Sequence, residues 1–204
     1  MPLVKRTPAP AAHQESPPQD IEEGLRSPEP GCRRQAAHAC ASRPDAIPLL
    51  SDSLRVETEP AVRQAILTAL VGIGGDDAVR AIVPCLRSDD AGIRTGALDA
   101  LRALSADIEP WLPSLLADPD ADVRVLSTEL ARGMPADRAT LHLCRMLERE
   151  SHPNACAAAL DVLAEVGTRE AVPALRRLAA RFAGEPFVVF AASVAIARIE
   201  GTKG

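Results

Sequence analysis

An apolar residue followed by arginine, each time opening a helical apolar pattern, returns along the chain at Ala61-Val62-Arg63, Gly92-Ile93-Arg94 and Asp122-Val123-Arg124. The same phase recurs without arginine at Asn154-Ala155-Cys156 and Phe187-Val188-Val189, so Val62, Ile93, Val123, Ala155 and Val188 lie 31, 30, 32 and 33 residues apart. A period of this length marks stacked supersecondary units, each of which buries its apolar face only against its neighbours. It constrains the chain to a repeat array before any other property is considered.

Within one unit, counting from the anchor, apolar or small residues recur at +3, +4, +7, +8 and +11, as in Ala65, Ile66, Ala69, Leu70 and Ile73. That is one face of an α-helix. The next unit repeats it with Gly96, Ala97, Ala100, Leu101 and Leu104, and a later one with Ala158, Ala159, Val162, Leu163 and Val166. Gly74 and Gly167 follow the last core residue, and Gly201 sits one place later, where a left-handed glycine is expected to close the helix. A second apolar segment follows, as in Asp77 to Leu86 and Glu170 to Leu175, so each unit is a helical hairpin. Pro48 and Pro173 suit a first turn, whereas Pro84 lies deeper and is expected to kink its helix. Acidic turns such as Asp89-Asp90 and Asp118-Pro119-Asp120 lead into the next anchor and offer helix caps.

Hydrophobic residues make up 47% of the 204, but aromatics only 2%, so the core must be built from Ala, Leu, Val and Ile, which suits closely packed helices. Residues 1–30 hold seven of the 18 prolines and few large apolar side chains, too few to offset their ordering entropy, and are expected to be a disordered tail. The array is expected over 31–204, as four to five hairpins plus a terminal helix. No segment approaches the roughly 18 apolar residues of a membrane span, and the N-terminal run lacks the pattern of a signal peptide, so a cytoplasmic protein is expected. The five cysteines, an odd number spread over helical segments, are expected to be free thiols. A net charge of −5 gives no general reason to bind nucleic acid.

The segments Glu59 to Gly74, Asp118 to Arg124 and Glu165 to Leu175 resemble HEAT repeats, in particular the short bacterial kind often called HEAT-like or phycobilin-lyase-type. The resemblance covers about residues 31–199 and implies an all-α solenoid of antiparallel helical hairpins. Some members of the wider group are enzymes. Resemblance to deoxyhypusine hydroxylase would require His-Glu dipeptides for iron, and this chain has none. Nothing marks the bilin pocket of a lyase or the cationic, aromatic groove of a HEAT-like DNA glycosylase. No catalytic serine, histidine and acid arrangement stands out, no metal pattern fits Cys32, His38 and Cys40, and no cofactor is called for.

The resulting expectation is a non-enzymatic scaffold that binds another protein, with a bilin-lyase-like, small-molecule-handling role as the alternative. Arg63, Arg94 and Arg124 are read chiefly as an inter-repeat ladder with acidic turns such as Asp90 and Asp120. In HEAT-like arrays the second helices line the concave side, and here they carry Arg138, Arg145, Arg149, Arg176, Arg177 and Arg181, a candidate face for a partner with an acidic surface. Trp111, beside Pro110 and Pro113, is either an interface anchor or ordinary packing against the adjacent repeat. The last helix, with Phe187, Phe190 and Val194, holds no charge from Phe187 to Ala197, although a terminal repeat should show a polar outer face. Either a second chain covers it, as in a homo-oligomer, or the preceding helix covers it from one side.

Overall fold

The anchor residues set the architecture: Val62, Val123, Ala155 and Val188 are each no more than 1% exposed, and around each the helical face described above closes on its neighbours. In the computed structural model, which describes residues 21–201, the chain is a run of helices α1 (Ile21–Leu25), α2 (Pro30–Ala39), α3 (Ile47–Val56), α4 (Pro60–Ile73), α5 (Gly75–Ile82), α6 (Ala91–Ala103), α7 (Ser105–Ile108), α8 (Leu112–Leu115), α9 (Ala121–Leu130), α10 (Ala136–Leu147), α11 (Pro153–Val166), α12 (Val172–Arg181) and α13 (Pro186–Gly201). Five hairpins result, α2 with α3, α4 with α5, α6 with α7 and α8, α9 with α10, and α11 with α12, followed by the terminal α13.

First helices stack on first helices, α2 on α4, α4 on α6, α6 on α9, α9 on α11 and α11 on α13, while the second helices α3, α5, α7, α8, α10 and α12 form the parallel layer. This two-layer stacking is that of an α-solenoid. One continuous core runs through it, filled by Leu50, Ile66, Leu70, Ile82, Leu101, Leu143 and Leu163, all buried.

Helix starts follow two local devices. Asp90 caps α6 by accepting from the Gly92 and Ile93 amides at 2.7 and 3.3 Å, and Asp120 caps α9 from Asp122 at 2.9 Å. Where no such cap exists, α2, α4 and α11 begin on Pro30, Pro60 and Pro153, whose missing amide proton removes one orphan donor. Pro84 does not kink a helix: α5 ends at Ile82 and the chain tightens into a 3-10 turn over Val83–Arg87. Pro110 and Pro113 likewise break the third hairpin's second helix into α7, a 3-10 turn at Glu109–Trp111, and α8.

Three further expectations are corrected. Residues 21–30 belong to the array, not to a tail: α1 packs on α2 and α3, with Leu25 6% exposed, because Ile21 and Leu25 supply one apolar helical turn. The disorder expected for residues 1–20 lies outside the described residues. Gly74 is left-handed as expected, with φ 72°, but Gly167 is extended, at φ −69° and ψ 149°. Its lack of a side chain serves packing, since a Cβ there would overlap the Leu163 carbonyl oxygen and stand 3.1 Å from Ile199 Cδ1 of α13. Gly201 remains within α13.

Candidate functional site

The anchor arginines are fully engaged inside the array. Arg124 donates through Nε and Nη2 to the Glu150 carboxylate at 2.6 and 3.0 Å, and through Nη1 to the Asp118 and Pro119 carbonyls at 2.8 and 3.2 Å. Glu150 then accepts the Ser151 and His152 amides that open the next repeat. An identical arrangement occurs at Arg33, Glu57 and the Thr58 and Glu59 amides, with Arg33 also on the Ser27 and Pro28 carbonyls. Arg63 bridges to Asp90 at 2.9 Å, and Arg94 holds the Ser88 and Asp89 carbonyls. Asp120 is a helix cap, while Glu150 is the acid that Arg124 reaches. Arg33 and Glu150 carried no sequence signal beyond their position one period from their counterparts.

These contacts hold the carboxyls ionised. The Arg33 hydrogen bonds hold Glu57 below the usual carboxylate range. Burial opposes ionisation of Glu150, but Arg124 and the two amides outweigh it, and Glu150 also lies below its ordinary value.

The second-helix arginines separate into committed and uncommitted groups. Arg138 pairs with Glu109 at 2.5 Å, Arg176 with Glu200 at 3.2 Å and Arg177 with Glu148 at 3.7 Å. Arg181 donates to the Leu147, Glu148 and Glu150 carbonyls at 2.6 to 3.0 Å, satisfying orphan acceptors at the end of α10. Arg145 and Arg149, one turn apart on α10 and the residues just beyond it, are exposed and have no ion pair among the described residues. Trp111 is tied into the preceding hairpin: its Nε1 donates to Asp76 at 2.7 Å, and the Arg80 guanidinium lies 5.4 Å from the ring centroid.

Arg145 and Arg149 stand on a groove of about 560 Å³ between the third and fourth hairpins, floored by Pro113, Leu116 and Met146. Its other charges are already matched: Asp118 by Arg87, Glu150 by Arg124 and Glu148 by Arg177. His142, 7% exposed, also lines the groove, and its Nε2 has no hydrogen bond, the nearest carboxylate oxygen being Glu109 Oε1 at 3.5 Å. The groove therefore presents apolar walls and two unneutralised guanidiniums.

Burial pushes Cys144 and Cys156 up to about 11 and raises Cys85 and Cys40 as well, so the thiolate is scarce near neutral pH. Cys40, Cys85, Cys144 and Cys156 form no disulfide.

Residues 18–102 match HEAT repeats. That matched stretch is thus of the HEAT-repeat type. Among solved structures, an engineered protein is 18% identical, with a TM-score of 0.42 over 89% of this chain and 95% of that one. A designed armadillo repeat protein in complex with the peptide (KR)4 is 18% identical, with a TM-score of 0.41 over 91% of this chain and all of its counterpart. The complex of CpcE and CpcF of phycocyanin lyase from Nostoc sp. is 16% identical, with a TM-score of 0.40 over 97% and 100%. No curated protein matches the chain. No described helix is long and apolar enough to cross a membrane.

Proposed function

We propose that this HEAT array is a non-enzymatic binding module whose second-helix face takes an acidic, partly apolar segment of another protein in the groove between the third and fourth hairpins. The observation that carries the reading is the charge balance of that groove. Every carboxylate lining it already has an arginine partner, which leaves Arg145 and Arg149 as net positive charge beside Pro113, Leu116 and Met146. An acidic side chain on the incoming segment neutralises the guanidiniums, and an aliphatic neighbour covers the apolar floor. The chain as a whole carries a net charge of −5, which disfavours acidic segments elsewhere, so the local patch also sets where they land.

Of the six second-helix arginines, four hold the array together, and two are left to meet a partner. Titrating a fluorescein-labelled decapeptide of alternating Glu and Leu against the full chain, with fluorescence anisotropy as the readout, tests it. Saturable binding is expected at low salt, with weakening at high salt and none to the Lys and Leu counterpart. Arg145→Glu with Arg149→Glu is expected to weaken binding about tenfold or more while leaving thermal unfolding unchanged. Equal affinity of the variant, or equal binding of the basic peptide, contradicts the reading.

A further inference from the structure

Helix α13 keeps the first-helix register of the array and departs from its outer chemistry. Its anchor Val188 is buried together with Ala192, Ala195 and Ile199, the face turned to α11 and α12. The interior first helices carry, two and six residues past the anchor, Gln64 and Thr68, Thr95 and Asp99, Val125 and Glu129, and Ala157 and Asp161. There an ion-pair ladder runs across the outside of the stack, Arg102 to Glu129 and Arg132 to Glu129, Asp161 and Glu165. In α13 those two positions are Phe190 and Val194, with Phe187 just before the anchor, and Phe187 and Phe190 are 62% and 65% exposed. Phe187, Phe190, Val194, Ala197 and Gly201 follow one another at steps of 3, 4, 3 and 4 residues, the spacing of a helix-pairing seam.

We propose that this seam is the interface of a two-fold homodimer, in which α13 packs antiparallel against α13 of a second copy. Size and charge together select the second copy as the occupant. With the two-fold axis opposite Ala192, Phe187 falls opposite the second copy's Ala197 and Phe190 opposite its Val194, so each ring meets a smaller side chain. The same register brings exposed Glu185 beside the second copy's exposed Arg198, and symmetry makes that pair twice. A parallel pairing instead sets Glu185 against Glu185 and Arg198 against Arg198, and aligns the two helix dipoles unfavourably. The seam also covers the exposed apolar face of α13. One helix pair lies at the low end of specific interfaces, below about 1,200 Å² in total, so the dimer forms and dissociates with concentration.

Sedimentation velocity on the full chain, from about one to several hundred micromolar, tests this. The wild type is expected to pass from monomer to dimer across that range. Phe190→Asp is expected to raise the dimer dissociation constant about tenfold or more, and Glu185→Arg to raise it measurably. Combining Glu185→Arg with Arg198→Glu is expected to restore it, a recovery that a merely structural effect on α13 does not give. A wild type that stays monomeric, a Phe190→Asp chain that still dimerises equally, or a charge swap that fails to recover affinity while thermal unfolding is unchanged overturns the proposal.

Discussion

Arg124 grips Glu150, 26 positions along the chain and beyond a complete second helix, with two parallel hydrogen bonds of 2.6 and 3.0 Å. The arginine side chain is 15% exposed and the glutamate 3%, so the pair sits largely out of water. Glu150 in turn accepts the two amides that start the next repeat, and the arginine ties down two carbonyls of the turn before its own helix. One side-chain pair thus fixes both ends of a hairpin relative to the next.

Removing one partner leaves the other charge buried and unpaired, the costly case for such pairs. Arg124→Ala is expected to destabilise the array by about 3 kcal/mol, and Arg124→Lys by a smaller amount, since lysine keeps the charge and loses the planar fork. Urea unfolding followed by circular dichroism measures both. Arg33→Ala is expected to act in the same direction at the first hairpin, where the Glu57 pair has the same form. Equal stability of Arg124→Ala and wild type contradicts the account.

Acid should release these same pairs. Glu57 and Glu150 both have folded pKa values below their ordinary 4.5. A carboxyl depressed in the folded state binds fewer protons there than in the unfolded chain, so its stabilisation is complete above about pH 4.5 and is lost as pH falls through the folded value. Thermal midpoints recorded from pH 7 down to pH 3 are expected to be flat at first and to drop below about pH 4.5. In Glu57→Gln with Glu150→Gln the drop is expected to be smaller. An undiminished drop in that variant would place the acid sensitivity elsewhere.

Gly167 gives a steric prediction. A Cβ there meets the Leu163 carbonyl oxygen and Ile199 of α13, whereas one at Gly133 meets nothing within 4 Å. Gly167→Ala is expected to cost about 1 to 3 kcal/mol by overpacking the α11 to α13 joint. Gly133→Ala is expected to be neutral or slightly stabilising, through its effect on the unfolded chain. Comparable melting temperatures for the two variants would remove the packing role assigned to Gly167.

The solenoid was legible in the sequence because its cause is periodic: the anchors Val62, Ile93, Val123, Ala155 and Val188 recur 30 to 33 residues apart, all but Ile93 of them buried, and each drags a helical face with it. Residues 21–30 were misread because proline content outweighed the two apolar residues, Ile21 and Leu25, that seat α1 on its neighbours. Gly167 looked like a left-handed cap because glycine at a helix end has two physical uses, and spacing does not distinguish them. The second-helix arginines were visible as a cluster, but their division was not. Whether Arg181 caps α10 or Arg145 faces a groove depends on residues 30 or so positions away, brought alongside only by stacking.

The most direct measurement of the central claim is amide hydrogen exchange on the full chain with and without the Glu and Leu decapeptide. Protection is expected at residues 113–118 and 142–151, the two walls of the groove, and is expected to vanish in Arg145→Glu with Arg149→Glu. Protection that falls on other hairpins, or none at peptide concentrations that saturate the anisotropy signal, contradicts the assignment of this groove as the binding site.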